Sequence, residues 1–342
     1  MLFFPGRLHE PLADIRPGRD IMKNCIISAG IVLFVFCSLQ TKAERGPAIR
    51  ASLSYNIMAL DLRDRKFAER TIRYMRDEEL YAGAAASYNN FGLAGRLGVF
   101  DVKNQNHKKV DSYDLKASYF SSAFGAELYY SRYSRFYISS SPYGIGRLWN
   151  DSHSGSGVKS EGAGLNLFLF MKDFLSLNEN FSYNAAFLQT EQPVKTSGTL
   201  LVLLSADYLR VRNNVPLIPA YAHDLFLFMD LYGLKGWRFA GFGFGVGFAG
   251  TLVLPGDLFV SSSISLMVRP LHKEFYTLVH VNREFRIDSL KGQGKIYAGY
   301  NGGSFFAGVS FVLEAALIPS YRFKLEMWSG DLAMEFYSGV RI

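Results

Sequence analysis

Large apolar residues and glycine alternate without a break from Gly241 to Ala249, reading Gly-Phe-Gly-Phe-Gly-Val-Gly-Phe-Ala. A period of two predicts a strand, because successive side chains leave an extended backbone on opposite faces. One face carries Phe242, Phe244, Val246 and Phe248; the other carries Gly241, Gly243, Gly245 and Gly247, and so no side chains. Strands of a soluble sandwich alternate apolar with polar, and nothing here marks a face turned to water. An apolar face against lipid and a bare face against a curved lumen account for both halves, which predicts a membrane β-barrel.

The same period recurs between turn residues along the chain. Ile49, Ala51, Leu53, Tyr55 and Ile57 alternate with Arg50, Ser52, Ser54 and Asn56. Strands are expected at 80–88 and 91–100 around Asn89-Asn90, and at 113–120 and 124–133 around Ser121-Ser122-Ala123. Further strands are expected at 165–171 and 199–210, followed by a loop holding Pro216 and Pro219. Residues 237–254 and 258–268 form a hairpin over Pro255-Gly256-Asp257; 295–300 and 304–313 form one over Asn301-Gly302-Gly303. A weaker candidate covers 277–287, and 331–342 closes the chain with Met334, Phe336, Val340 and Ile342 on one face. Residues 139–161, rich in Ser and Gly, read as a long exposed loop. The expected fold class is all-β: one transmembrane antiparallel up-and-down β-barrel of about 12 strands, with 10–14 as its bounds.

The start of the chain supplies a route to such a membrane. Met22-Lys23-Asn24 is a short basic region, 25–39 is apolar, and Thr41-Lys42-Ala43 resembles a signal-peptidase site. The run is shorter than the ~20 residues of a spanning helix, so 22–43 reads as a signal peptide. Residues 1–21 lack periodicity and read as an over-extended start or a disordered leader, leaving 44–342 as the barrel domain. A bacterial outer-membrane location follows, with outer-membrane lipid and the barrel-insertion machinery as partners.

Composition agrees. Aromatics make up 15% of the chain, with 29 Phe, 20 Tyr and 32 Gly, the residues of interfacial girdles and close strand packing. Both cysteines, Cys25 and Cys37, lie in the signal, so the mature chain can hold neither a disulfide nor a thiolate metal site. The net charge of +7 is scattered; its densest group, His107-Lys108-Lys109, sits among Asn and Gln in a turn, and no nucleic-acid partner is expected.

Two stretches carry a resemblance. Phe181-Ser182-Tyr183-Asn184-Ala185-Ala186-Phe187 with Gln189-Thr190-Glu191 and Lys195-Thr196-Ser197-Gly198-Thr199 is one; Gly299-Tyr300-Asn301-Gly302-Gly303 with Phe305-Phe306-Ala307-Gly308-Val309-Ser310 is the other. They resemble motifs of domain of unknown function 4421, departing from them at Pro193 and Thr196-Ser197. The resemblance runs from about Ile49 to the C-terminus. It implies an exported bacterial barrel and brings no catalytic residues.

Candidate chemistry is sparse. Ser152-His153 and His223-Asp224 invite a hydrolase reading, but neighbours on an extended chain point to opposite sides, and a triad needs residues that meet in space. No HExxH or other metal spacing is present, and the glycine stripe does not open a helix as a nucleotide loop would. No catalytic residue, metal or cofactor is therefore assigned. With the greasy face outward, Arg96, Glu127, Asp207, Arg238 and Glu335 are lumen-facing polar candidates, along with Lys116 and Arg341, and mixed charges in a narrow barrel are expected to neutralise one another. The function these residues support is a non-enzymatic barrel, structural or a narrow pore. Two alternatives stay open: a barrel-embedded lipid-modifying hydrolase, and a secreted soluble barrel binding an apolar ligand, which requires the Phe242–Phe248 stripe to face inward.

Overall fold

The computed structural model describes residues 47–65, 71–76, 79–101, 111–140, 157–171, 181–193, 195–217 and 233–342. The strands are β1 (Ala48–Asp64), β2 (Thr71–Arg76), β3 (Glu79–Tyr88), β4 (Phe91–Asp101), β5 (Tyr113–Phe120), β6 (Phe124–Ser134), β7 (Phe136–Ser140), β8 (Lys159–Met171), β9 (Ser197–Arg212), β10 (Gly236–Leu254), β11 (Leu258–Tyr276), β12 (Val281–Asn301), β13 (Phe305–Ser320) and β14 (Leu325–Arg341). All but β2 and β7 form a ring in which each strand pairs antiparallel with its neighbour, and β14 closes on β1 from Ala48↔Arg341 to Asp64↔Leu325. The result is a closed twelve-stranded transmembrane-type β-barrel, which has no free sheet edge.

The hydrophobic period sets which face is which. Phe242, Phe244 and Val246 are 73%, 57% and 59% exposed on the outer wall. That orientation removes the soluble ligand-binding reading, which needed them inside. Glycine on the inner face is there for close approach rather than for space. A Cβ on Gly245 would stand 2.4 Å from the Leu266 carbonyl oxygen and 2.3 Å from Met267 Cγ, and one on Gly243 would meet Arg269 Cγ at 3.1 Å. The side chains of β11 therefore reach into the lumen across the glycines of β10.

Three elements differ from the expectation. The candidates at 277–287 and 295–300 belong to one strand, β12, whose middle, Lys291-Gly292-Gln293-Gly294, lacks the apolar alternation that marks a lipid-facing strand. Residues 277–280 are a turn, in which Thr277 N–H donates to the His280 carbonyl at 3.0 Å. The strands β2 and β7 were not expected: β1 pairs with β3 from Ala48 to Asn56 and then with β2 from Ala59 to Arg63, and β2 pairs with β7. β2 precedes β3, and β7 follows β6 beyond Arg135, whose backbone is left-handed (φ +62°), so their pairing joins the chain on either side of β3, β4, β5 and β6.

Ala48, Arg341 and the turns after β3, β5, β10 and β12 lie at one end, here called the turn end; the ends of β4, β6 and β9 and the turn after β11 lie at the other, the loop end. The expected leader (1–21) and signal peptide (22–43), His107–Lys109, Ser152-His153 and His223-Asp224 lie outside the described residues.

Candidate functional site

The residues that line the lumen fall into three layers. At the loop end, inward positions of the wall meet in an apolar core that includes Leu62, Ile72, Phe136, Trp237, Phe275 and Leu325, each no more than 1% exposed. They occupy the inner parity of their strands just where the outer parity turns charged, so the wall is inverted there: greasy inside, ionic outside.

The middle layer is ionic. Arg96 of β4 donates from Nε to Asp114 and from Nη1 to Asn56 Oδ1 at 3.2 Å, while Tyr133 donates to Asp114 at 2.6 Å. Lys116 pairs with Glu127 at 3.2 Å and Arg50 with Glu335 at 3.5 Å. Asp207 accepts from Tyr129 at 2.6 Å and Ser205 at 3.1 Å, with Arg269 at 3.7 Å, and Lys291 joins Glu314 at 3.5 Å. Arg76 lies over the rings of Tyr81 and Tyr133, at 5.2 and 4.5 Å. A buried charge costs several kcal/mol unless it is paired and hydrogen-bonded, and the pairs cross from strand to strand to meet that requirement. Arg96, Glu127, Asp207 and Glu335 thus stand in the lumen. Arg238 does not: it shares its parity with Phe242 and Phe244 and binds Glu274 on the outer wall, because the alternation runs unbroken from 238 to 248.

At the turn end the lumen holds a segment that sequence reasoning left unplaced. Within the connection from β8 to β9, Phe181 to Phe187 lie inward, and residues Asn184–Leu188 form a short π-helix packed against the walls. Tyr183 stacks on Phe120 at 4.2 Å between ring centroids, touches Phe187 at 4.6 Å, and lies near Phe168 and Phe170. Phe187 meets Tyr297 edge-on at 5.3 Å. Asn184 Nδ2 donates to the Phe120 carbonyl at 2.9 Å, and Gln189 Nε2 donates to the Ala185 and Ala186 carbonyls at 3.0 and 3.2 Å. Gln189 takes a left-handed conformation (φ +59°) that ends the helix, and its carbonyl receives Arg341 Nε at 3.1 Å and Nη2 at 3.0 Å. Arg341 also donates to the carbonyls of Glu191 at 3.3 Å and Gly303 at 3.1 Å, and to Asn301 Oδ1, while Asn301 Nδ2 donates to Gln189 Oε1. One arginine of the closing strand therefore ties the end of the plug to the turn after β12. The sequence signal was available: Phe181 to Phe187 is too apolar for a surface connection and lacks the period of a strand.

A cavity of about 80 Å³ remains beside the plug, bordered by Phe187, Leu188, Lys116, Glu127, Lys295 and Arg50 among others. Lys295 Nζ donates there to Tyr183 Oη at 3.3 Å. Among the described residues no group of three His, Cys, Asp or Glu is placed to hold a metal ion.

A closed antiparallel barrel with an apolar outer belt and a lumen stoppered from its turn end defines a class, the plugged membrane β-barrel. Within it, the chain belongs to the family of domain of unknown function 4421 (DUF4421), whose model matches residues 41–341. No curated protein matches the chain in sequence. Among solved structures, it is similar to the outer membrane protease OmpT from Escherichia coli, with 8% identity and a TM-score of 0.38 over 89% of this chain and 99% of that one. It is similar to the Pseudomonas putida toluene transporter TodX, with 9% identity and a TM-score of 0.31 over 87% and 90%. The translocator domain of the autotransporter NalP from Neisseria meningitidis gives 9% and 0.31 over 95% and 98%. Likeness at this level assigns no activity, and the architecture rests on the strand pairings above.

Proposed function

We propose that this protein is a bacterial outer-membrane barrel, exported by its 22–43 signal, that acts as a narrow, non-enzymatic pore held shut by residues 181–191. The observation that carries the reading is the placement of the β8–β9 connection. A connection at the turn end of a barrel is ordinarily a short exposed turn; here Phe181 to Phe187 are buried in the lumen, and Gln189 after them is fastened by hydrogen bonds from Arg341. Such contacts can be exchanged for water without unpairing any wall strand. Family membership and the lipid-type exterior support the location, and the paired charges of the middle layer give a displaced plug a polar path to expose. Export through this route puts the turn end on the periplasmic side and the loop end outside, as in other such barrels.

The test is purified barrel in planar lipid bilayers, intact and with residues 181–191 replaced by a Gly/Ser linker. Intact protein is expected to be silent and the replaced form to conduct. A replaced form that folds and stays silent would leave a structural role instead. Lipid hydrolysis assayed in parallel, and abolished by His153→Ala or His223→Ala, would favour the hydrolase.

A further inference from the structure

The outer wall just beyond its apolar belt, toward the loop end, carries an ordered row of charge. Register places Arg132 of β6 opposite Glu161 of β8, Glu161 opposite Arg210 of β9, Arg210 opposite Arg238 of β10, Arg238 opposite Glu274 of β11, and Glu274 opposite Arg283 of β12. Residues paired across antiparallel strands share a face, so these six side chains stand abreast on six adjoining strands. One step further out, Lys159 faces Arg212. One step inward, the row Tyr130, Ala163, Tyr208, Ala240, His272 leads into the apolar belt of Leu204, Phe242 and Val268. The row therefore lies at headgroup depth.

Its acidic members are already engaged. Glu274 holds Arg238, and Arg283 at 3.2 Å; Glu161 binds Arg212 at 3.2 Å rather than its register partner Arg210; and Arg132 turns to Asp111 at 3.2 Å. Among the described residues no carboxylate lies within ion-pairing distance of Arg210. Arg210 and Arg238 face each other directly, and like charges in that position repel unless an anion lies between them. Among the described residues the turn end carries no such row of charge: its outer positions include the aromatic contacts of Phe91 with Tyr119 and Tyr119 with Phe124. Arginine is the side chain whose planar fork matches a phosphate with two donors.

We propose that this row is a binding site for the phosphate groups of an anionic glycolipid in the outer leaflet, with a phosphate held between Arg210 and Arg238 and flanked by Arg212 and Arg283. The inference rests on the outer-membrane reading with the loop end outward. The lipid supplies the counter-charge that Arg210 lacks, beside the Arg238 that Glu274 already holds, and it fixes the height of the barrel in the membrane.

The experiment uses the full-length barrel in neutral detergent, titrated with bisphosphorylated lipid A, dephosphorylated lipid A, phosphatidylglycerol or inorganic phosphate, with binding read by native mass spectrometry and by the temperature of heat-modifiable migration. Bisphosphorylated lipid A is expected to bind and stabilise, while the dephosphorylated lipid and free phosphate do not. Each arginine near a charged headgroup is worth roughly fivefold in binding, so R210Q/R238Q/R283Q together should weaken it about a hundredfold. Glu274→Gln, which removes a competing carboxylate, should bind at least as tightly as the parent and guards against loss of fold in the triple variant. Equal binding of dephosphorylated lipid A, or a folded triple variant with parental binding, overturns the site; so does a phosphatidylglycerol effect equal to that of lipid A. Orientation is read separately by labelling Val279→Cys on intact cells: labelling with no lipid A binding defeats the site alone, whereas no labelling defeats the outward placement on which it rests.

Discussion

At the turn end the lumen is stoppered by a single chain segment, Phe181–Glu191, whereas at the loop end inward side chains from seven of the twelve wall strands pack together in a shared core. The first closure is an insert: its aromatic rings rest on Phe120, Phe168 and Tyr297, and its polar atoms reach Asn301 and Arg341. The loop-end core belongs to the wall itself, in which Trp237, Phe275 and Leu325 hold the strands together as a soluble core would. Removing the insert leaves every strand pair intact, while removing the core takes away packing that six or more strands share. An opening mechanism belongs to the first and stability to the second.

The largest effect we expect is at the loop end. Trp237→Ala removes a fully buried ring from the shared core and should cost about 3–5 kcal/mol, measured by denaturant unfolding of the refolded barrel. A loss below that of Phe187→Ala in the plug would reverse the assignment of stability and mobility to the two ends.

The comparison also assumes that the wall between the two ends faces lipid. Phe244→Lys places a charge on the exposed stripe at mid-strand and should cost about 2–4 kcal/mol of insertion stability, read from membrane-fraction yield and heat-modifiable migration. On the opposite face of the same strand, Gly245→Ala should cost about 1–3 kcal/mol for a different reason, overpacking against Leu266 and Met267. A neutral outcome at Gly245 would mean that the inner face has room to spare and that the lumen is wider than its side chains indicate.

A smaller change is expected at the tether. Arg341→Gln keeps one donor of the several that hold the carbonyls of Gln189, Glu191 and Gly303, and each charged hydrogen bond lost is worth about 1.5–3 kcal/mol before water replaces it. Because Arg341 lies at the rim of the barrel, replacement by water should reduce the net loss to about 1 kcal/mol of global stability. Brief conductance openings in planar bilayers should increase markedly. Unchanged openings would place the tether elsewhere.

Much of the wall was legible in the sequence because a strand between lipid and lumen writes its environment at every second residue. Phe242 to Phe248, Ile49 to Ile57 and Met334 to Ile342 each announce an outer face, and Arg96, Glu127, Asp207 and Glu335 fall between such positions. Arg238 was placed on the wrong face because charge was taken as a sign of the lumen, when the outer wall near a headgroup layer also carries charge. β12 was broken in two because its centre, Lys291 to Gly294, has glycine rather than large apolar residues outward. β2, β7 and the plug were not foreseen because each depends on contacts between residues far apart in the chain, such as Asn301 with Gln189, which periodicity does not encode. The plug was marked only by the motif from Phe181 to Glu191, whose aromatic content is out of place in a connection.

The most direct test of a lumen closed by a removable insert is thiol accessibility at its middle. The mature chain expected from residue 44 contains no cysteine, so Ser310→Cys introduces a single thiol at a lumenal position that is 1% exposed, beside Glu335. A membrane-impermeant maleimide should fail to label it in the intact barrel and should label it readily when residues 181–191 are replaced by a Gly/Ser linker. Equal labelling of the two forms, at the rate shown by Val279→Cys in the exposed β11–β12 turn, would contradict the closure.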